Sequence, residues 1–233
     1  MERSEAFRDR ADAGRQLAGH LHEYARRPDV LVLGLPRGGV PVAFEVARAL
    51  EAQLDVFLVR KLGVPGHEEL ALGAIASGGA RVLNDEVVRS LHISEETIAS
   101  VAADEQRELE RRERLYRDGG GPTPVAGHRA ILVDDGLATG ASMRAAAVAV
   151  AEQGADEVVV AVPVAPPAAC AALEDEVDRV VCARTPEPFY VVGAWYRDFS
   201  EVSDHHVREL LRRAADLRTG EPRAEAHAAD AGW

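Results

Sequence analysis

Lysine is almost missing from this 233-residue chain. Lys61 is the only one, and the other basic side chains are arginine or histidine. A chain that favours arginine wherever either cation serves marks Lys61 as a place needing a compact ammonium, unless it is a chance survivor. Cysteine is nearly as scarce. Cys170 and Cys182 form neither CxxC nor a metal-ligand spacing, so a reduced, cytoplasmic protein is expected. No apolar run approaches the length of a membrane span, and the opening MERSEAFRDRADAGRQ is too charged for a signal peptide. Two common phosphate loops, GxxxxGK[ST] and GxGxxG, do not occur. A basic excess is lacking too: 39 acidic residues face 27 Lys and Arg, for a net charge of -12. That argues against nucleic acid or an anionic membrane as the main partner. The 47% hydrophobic content suits the core of one ordinary domain with extensions.

What is present centres on residues 131–143, ILVDDGLATGASM. An apolar run ends in two carboxylates, Asp134 and Asp135. A small loop with hydroxyls follows, and then an Ala-rich segment with high helix propensity, Met143–Gln153. The pattern predicts a buried strand, an acidic tip, a tight loop and a helix. A helix start offers unpaired N–H groups and the positive end of its dipole to a phosphate. Thr139 and Ser142 add hydroxyl donors, and Gly140 lets the backbone come close. The carboxylates would repel phosphate but accept hydrogen bonds from sugar hydroxyls. One phosphate beside one diol describes a ribose 5-phosphate. The plainer reading is a strand-to-helix turn with an Asp cap. A receiver domain, which also ends a strand in paired Asp, would need a later lysine, and none follows Lys61.

At these residues the chain resembles the type I phosphoribosyltransferases. Their signature for 5-phosphoribosyl 1-diphosphate (PRPP) is a strand, an acidic pair and a TG-containing loop. The resemblance implies that Asp134 and Asp135 take the ribose 2- and 3-hydroxyls. It gives Leu137, Ala138, Thr139, Gly140, Ala141 and Ser142 the 5-phosphate. Mg²⁺ would be held largely by PRPP oxygens and waters, with Asp134 and Asp135 reaching it through water at most.

Upstream, Val30–Leu33 reads as a short buried strand, followed by the loop Gly34–Pro41, a helix over Val42–Glu51 and a strand over Asp55–Val59. The loop GLPRGGVP resembles the family's pyrophosphate loop, with Arg37 as a charged fork and Gly38 and Gly39 exposing N–H groups. By itself it would read as a Pro/Gly turn. The resemblance also implies that Pro36–Arg37, or a bond beside it, leaves ordinary trans geometry. Arg60 and Lys61 are placed near pyrophosphate. Residues Leu62–Ala80, rich in glycine, match a mobile loop over the reacting centre, or a hairpin pairing Leu72–Ser77 with Arg81–Leu83. Glu68 and Glu69 are its candidate acids for general acid/base work.

Arg3–Arg27 reads as one helix stopped by Pro28, with Phe7, Ala11, Leu17, Leu21 and Tyr24 on one face. Asp85–Leu91 and Ser94–Arg117 read as helices, the second with a capping-box-like start. Its alternating charges suggest a solvated face or, alternatively, the contact of a homodimer. Asp118–Gly127 is a loop. Strand, helix and strand follow at Glu157–Val162, Pro166–Glu174 and Val177–Cys182. Alternating β and α implies a mainly parallel sheet flanked by helices on both faces, with ligands at the carboxyl ends of its strands.

Residues 184–204 hold much of the aromatic content. The resemblance makes them a small hood over an acceptor base, with Tyr190 and Val191 near the ring, while Trp195 and Phe199 suit core packing. Val207–Leu217 reads as a helix, and 218–233 as a disordered tail.

The expected division is therefore one phosphoribosyltransferase-like domain over 1–217, with its core about 28–183 and a helical insertion about 85–117. The resemblance spans most of Phe7–Ala215. It implies a Mg²⁺-dependent transfer of ribose 5-phosphate from PRPP to a nitrogenous base, with release of pyrophosphate. The alternatives are a non-catalytic regulator that senses PRPP or a nucleotide, and a nucleotide-hydrolysing relative. Ala138 stands where hypoxanthine–guanine enzymes usually carry an acid, and the hood has no lysine; both argue against a 6-oxopurine.

Overall fold

The structure, a computed structural model, describes residues 6–117 and 120–219. Its frame is a five-stranded parallel sheet in the order β2-β1-β6-β7-β8. The strands are β1 (Val30–Gly34), β2 (Gln53–Val56), β6 (Arg129–Val133), β7 (Glu157–Val164) and β8 (Arg179–Arg184). All are apolar at their centres because both faces are covered. Leu31, Leu33, Leu132, Val158 and Val160 point to one face, beneath α5 (Ala141–Glu152) and α6 (Pro167–Glu174). Val30, Val32, Ile131, Val133 and Val159 point to the other, beneath α1 (Arg10–Ala18) and α2 (Gly39–Leu50). The chain runs from β1 out to β2 and later returns to β6 on β1's other side. The order therefore reverses between β1 and β6, and a crevice opens where both strands end.

A second, antiparallel sheet is formed by β3 (Val59–Val64), β4 (His67–Ala76) and β5 (Arg81–Leu83). The hairpin expected over Leu72–Ser77 and Arg81–Leu83 is present, pairing Gly73 with Leu83 and Ile75 with Arg81. Its base is tied to the core. Ser77 is buried, its hydroxyl accepts from the Leu58 N–H at 3.0 Å, and its own N–H donates to Leu58 O at 2.8 Å. The strand expected over Asp55–Val59 ends at Val56, and Val59 instead opens β3. Behind this sheet lie α3 (Asp85–Ser90), the long α4 (Glu95–Tyr116) and α7 (Asp204–Thr219). Ser94 caps α4, accepting from the Thr97 N–H at 3.2 Å.

Three expectations need correction. The amino-terminal helix is not continuous over Arg3–Arg27. Asp9 caps it by accepting from the Asp12 N–H at 2.7 Å, so α1 starts at Arg10, and a separate 3-10 turn follows at His22–Tyr24. Phe7 is extended and bridges to Tyr196 instead. Cys170 on α6 and Cys182 on β8 are joined in a disulfide, because α6 packs back onto the strand it precedes. The expected pair of reduced thiols is thus not what the fold shows. Arg218 and Thr219 still belong to α7; the remainder of the expected tail, from 220, and residues 118–119 of the expected loop lie outside the described residues. Among the described residues no helix is long and apolar enough to cross a membrane.

Candidate functional site

Two loops meet in the crevice where β1 and β6 end. The first, residues 35–38, leads into α2; the second, 134–140, leads into α5. They touch so closely that only glycine fits between them. A Cβ on Gly38 would stand 2.0 Å from Asp135 Oδ2, and one on Gly39 would stand 2.6 Å from Val133 O. The Pro36–Arg37 peptide is cis, the departure that the resemblance implies at this loop. Gly39 corrects the picture of two exposed N–H groups, because its own N–H donates to Leu35 O at 3.0 Å as α2 begins.

The acidic tip expected after the buried strand is itself partly enclosed. Both carboxylates are partly buried. Asp134 Oδ1 accepts from the Asp135 N–H at 2.8 Å. Asp135 Oδ2 accepts from Arg10 Nε at 2.8 Å, with both side chains largely covered at 12% and 15% exposure. Arg10 also donates to Ser200 O at 2.8 Å and lies 3.9 Å over the Phe199 ring. Burial, and then the neighbouring Asp135, push the Asp134 carboxyl up to about 8. Burial raises Asp135 as well, against the pull of Arg10. Tyr196, buried beneath the pair, donates from its hydroxyl to Asp135 O at 2.5 Å.

The phosphate-type loop divides in two. Leu137 is buried in the core and its N–H donates to Val164 O at 3.0 Å, so it anchors the loop and offers no donor. Ala138, Thr139, Ala141 and Ser142 are exposed, and Gly140 is left-handed at φ 75° as the residue before α5. Among the described residues the N–H groups of 138–142 donate to no backbone or side-chain acceptor. They form the anion-ready helix start expected there.

Of the expected pyrophosphate cations, Arg37 pairs with Glu201, and Arg60 pairs with Glu105 on α4. Arg60 and Lys61 line different pockets. They are consecutive on β3, so their side chains leave opposite faces of the strand. Arg60 lines a pocket of about 130 Å³ with Pro36, Asp134 and Ser142. Lys61 lines an adjoining cavity of about 600 Å³ between the small sheet and the start of α5, which shares Val59 and Ser142 with the smaller pocket and also takes in Arg144. The sequence reading missed Arg112 and Tyr116 of α4, which also line the smaller pocket. A signal existed. Leu109 and Tyr116 are seven apart on the apolar face of α4, and Arg112 sits at that face's edge.

Tyr190 and Val191 are 84% and 57% exposed, on a loop with a cis Glu187–Pro188 bond. The next residue, Val192, docks on Gly136, where a Cβ would come within 2.6 Å of it. So the hood segment rests directly on the acidic loop. Trp195 is only partly buried and Phe199 is 37% exposed; Tyr196 takes the core place that those two were expected to fill. Glu68 and Glu69 lie on β4, and their side chains fall outside the described residues. Among the described residues no group of three or more His, Cys, Asp or Glu gathers as a metal cage. The acidic pair nevertheless fits a cation: burial, and then the charge of Asp135, disfavour an ionised Asp134, and a divalent ion shared with a ligand's oxygens would offset that cost.

Comparison with known proteins bears on the family and the fold. The phosphoribosyl transferase domain family model matches residues 4–193. Two Mycobacterium tuberculosis proteins, "Putative phosphoribosyl transferase MT0597" and "Putative phosphoribosyl transferase Rv0571c", are each 50% identical over 208 residues, 89% of this chain. That stretch is 47% of each relative, so the chain spans about half the length of the curated relatives it matches. The crystal structure of TT1426 from Thermus thermophilus is 45% identical with a TM-score of 0.79, covering 88% of this chain and 97% of that one.

Proposed function

The chain belongs to the phosphoribosyl transferase domain family, and from that premise we propose that it moves ribose 5-phosphate from PRPP to a nitrogenous base, with Mg²⁺, releasing pyrophosphate. One observation carries the reading. A partly buried carboxylate pair meets an unpaired helix start and an arginine-lined pocket, with Asp134 and Ser142 both in the pocket wall, all at the reversal of strand order. Those three parts support a reading in which they take the diol, the 5-phosphate and the diphosphate of PRPP.

In this reading the N–H groups of 138–142 and the hydroxyls of Thr139 and Ser142 grip the 5-phosphate. Asp134 and Asp135 accept from the ribose hydroxyls, and Arg10 holds Asp135 in position from behind. Arg37 and Arg60 stabilise the charge that grows on the departing diphosphate. The base attacks the anomeric carbon as the C–O bond to diphosphate breaks, so the chain's task is mainly alignment. Mg²⁺ would be held by PRPP oxygens with the acidic pair near by, and when bound it supplies charge neutralisation of the leaving diphosphate. Ala138 brings no acid to the base and the hood holds no lysine, which supports an acceptor other than a 6-oxopurine. A homodimer and a cytoplasmic setting complete the proposal; the Cys170–Cys182 bridge is the observation against the latter. Alkylating thiols in intact cells before lysis decides that point.

The test is pyrophosphate release from PRPP and Mg²⁺ across a panel of bases. Release with one base and not others supports the reading and names the acceptor. PRPP binding with no release under any base favours the sensing regulator. Lack of PRPP binding at millimolar concentration ends both.

A further inference from the structure

Read along the sequence, α4 is a charged and solvated helix. Its packing shows more. Ile98, Ala102, Leu109 and Tyr116 are buried among residues of β3, β4 and α7, which fixes the rotation of the helix. The Tyr116 hydroxyl donates to Asp204 Oδ1 at 2.6 Å and ties the last turn to the start of α7. In that rotation Arg112 joins the wall of the 130 Å³ pocket, across from Pro36 and Asp134. Its Nε donates to Glu108 Oε1 at 2.9 Å, and among the described residues its remaining N–H groups have no hydrogen bond. Arg60 meets the same helix. It pairs with Glu105, and its terminal nitrogen lies 3.9 Å from Glu108. So α4 delivers one further guanidinium to the pocket, together with two carboxylates that pair with the pocket's arginines from outside its wall.

Resting on the transferase reading above, we propose that Arg112 is a pyrophosphate-binding residue supplied by α4, and that the diphosphate of PRPP displaces Glu108 from Arg112 and Glu105 from Arg60. A guanidinium fork grips phosphate oxygens through two parallel bonds, and a diphosphate brings more charge than a single carboxylate. The displaced carboxylates are about one-third exposed at 28% and 31%, so they can turn to water instead of being stranded. The ion pairs exchange partners, and no new charge has to be buried alone.

The experiment is calorimetric binding of inorganic pyrophosphate with Mg²⁺, PRPP with Mg²⁺, and ribose 5-phosphate. It compares the full chain with Arg112→Gln, Arg112→Lys and Arg111→Gln. Arg111 shares Glu108 as its partner at 2.7 Å but is 59% exposed and stands outside the pocket wall, so it is the control. Loss of a charged hydrogen-bonding partner predicts pyrophosphate and PRPP binding about 10–30-fold weaker in Arg112→Gln, with a smaller loss in Arg112→Lys. Ribose 5-phosphate binding and the Arg111→Gln protein should stay within about twofold of the parent, as expected for contacts that are not made. Equal pyrophosphate affinity in the parent and Arg112→Gln overturns the assignment. So does an equal loss for ribose 5-phosphate, or an equal loss in Arg111→Gln. A parent protein that binds no PRPP sinks the transferase reading instead, and this inference with it.

Discussion

Replacing Asp134 with Asn should stabilise the fold while it weakens ligand binding, and the sign depends on pH. In an unfolded chain this carboxyl loses its proton near pH 4. In the fold, burial and the adjacent Asp135 move that point up to about 8. Between the two values the folded protein binds the extra proton, so stability falls as pH rises through that window and is flat on either side. Each pH unit across the window is worth about 1.4 kcal/mol, which makes the upper bound at pH 7 about 4 kcal/mol. The Asn amide is itself partly buried, so a net gain of about 1–3 kcal/mol is expected. The Asn Oδ1 can still accept from the Asp135 N–H, which keeps the local geometry.

The assay is urea unfolding of parent and Asp134→Asn at pH 4, 6 and 8. The two curves should nearly coincide at pH 4 and separate as pH rises, with the variant the more stable. At pH 8, where the parent's carboxyl is about half ionised, PRPP affinity should fall several-fold or more for loss of a charged acceptor to the ribose hydroxyls, with a smaller fall at pH 6. A stability difference of the same size at every pH would refute the reasoning, since a packing effect has no reason to follow proton binding. A less stable variant at pH 8 would refute it more directly, because the carboxylate would then be a net contributor.

The neighbouring Asp135→Asn should stabilise less than Asp134→Asn or not at all, because burial raises this carboxyl too but the change also removes the partner of Arg10; thermal melts of the two single variants at pH 8 give that order, and a larger gain for Asp135→Asn would refute it. Gly38→Ala, with its Cβ 2.0 Å from Asp135 Oδ2, should lower stability by about 1–3 kcal/mol and weaken PRPP binding even though Gly38 has an ordinary φ of -62°. Reduction of the Cys170–Cys182 bridge should lower the midpoint of thermal unfolding by about 5–10 °C, as a short cross-linked loop contributes about 3 kcal/mol; an unchanged melt in reductant would show that the bridge does not hold α6 to β8.

The sheet and its two loops were legible because their signals are local. Fully apolar strands, a carboxylate pair and a TG loop each declare themselves within a few residues. The second sheet was half legible: the glycines marked its turns, yet Val59 was assigned to the strand before it. That one shift changes where two candidate cations point. With Arg60 and Lys61 leaving the end of a strand, both reach one anion; inside β3, alternation sends them to opposite faces. Contacts across long separations were not legible at all. Arg10 and Asp135 are 125 residues apart, and nothing in either neighbourhood announces the other. The same holds for Arg112, whose role depends on how α4 is turned, and for the disulfide, where α6 brings together two cysteines of no recognised spacing.

The net charge of -12 sets the problem that the site has to solve, because the proposed substrate is also an anion. Each arginine at the diphosphate end already has a carboxylate: Arg37 has Glu201, Arg60 has Glu105, and Arg112 has Glu108. Such pairs keep long side chains in one conformation without ligand, so less freedom is lost when an anion arrives. They also oppose it, since every carboxylate must be displaced. Glu201 separates the two effects best, because it is 78% exposed and lies on the segment before α7, away from the core. If displacement dominates, Glu201→Gln should tighten pyrophosphate binding about two- to fivefold, the size of a surface ion pair, with the gain shrinking in high salt. Weaker binding in Glu201→Gln at low salt would mean that the carboxylate's main work is to aim Arg37, and that the pocket meets its ligand with its cations already in place.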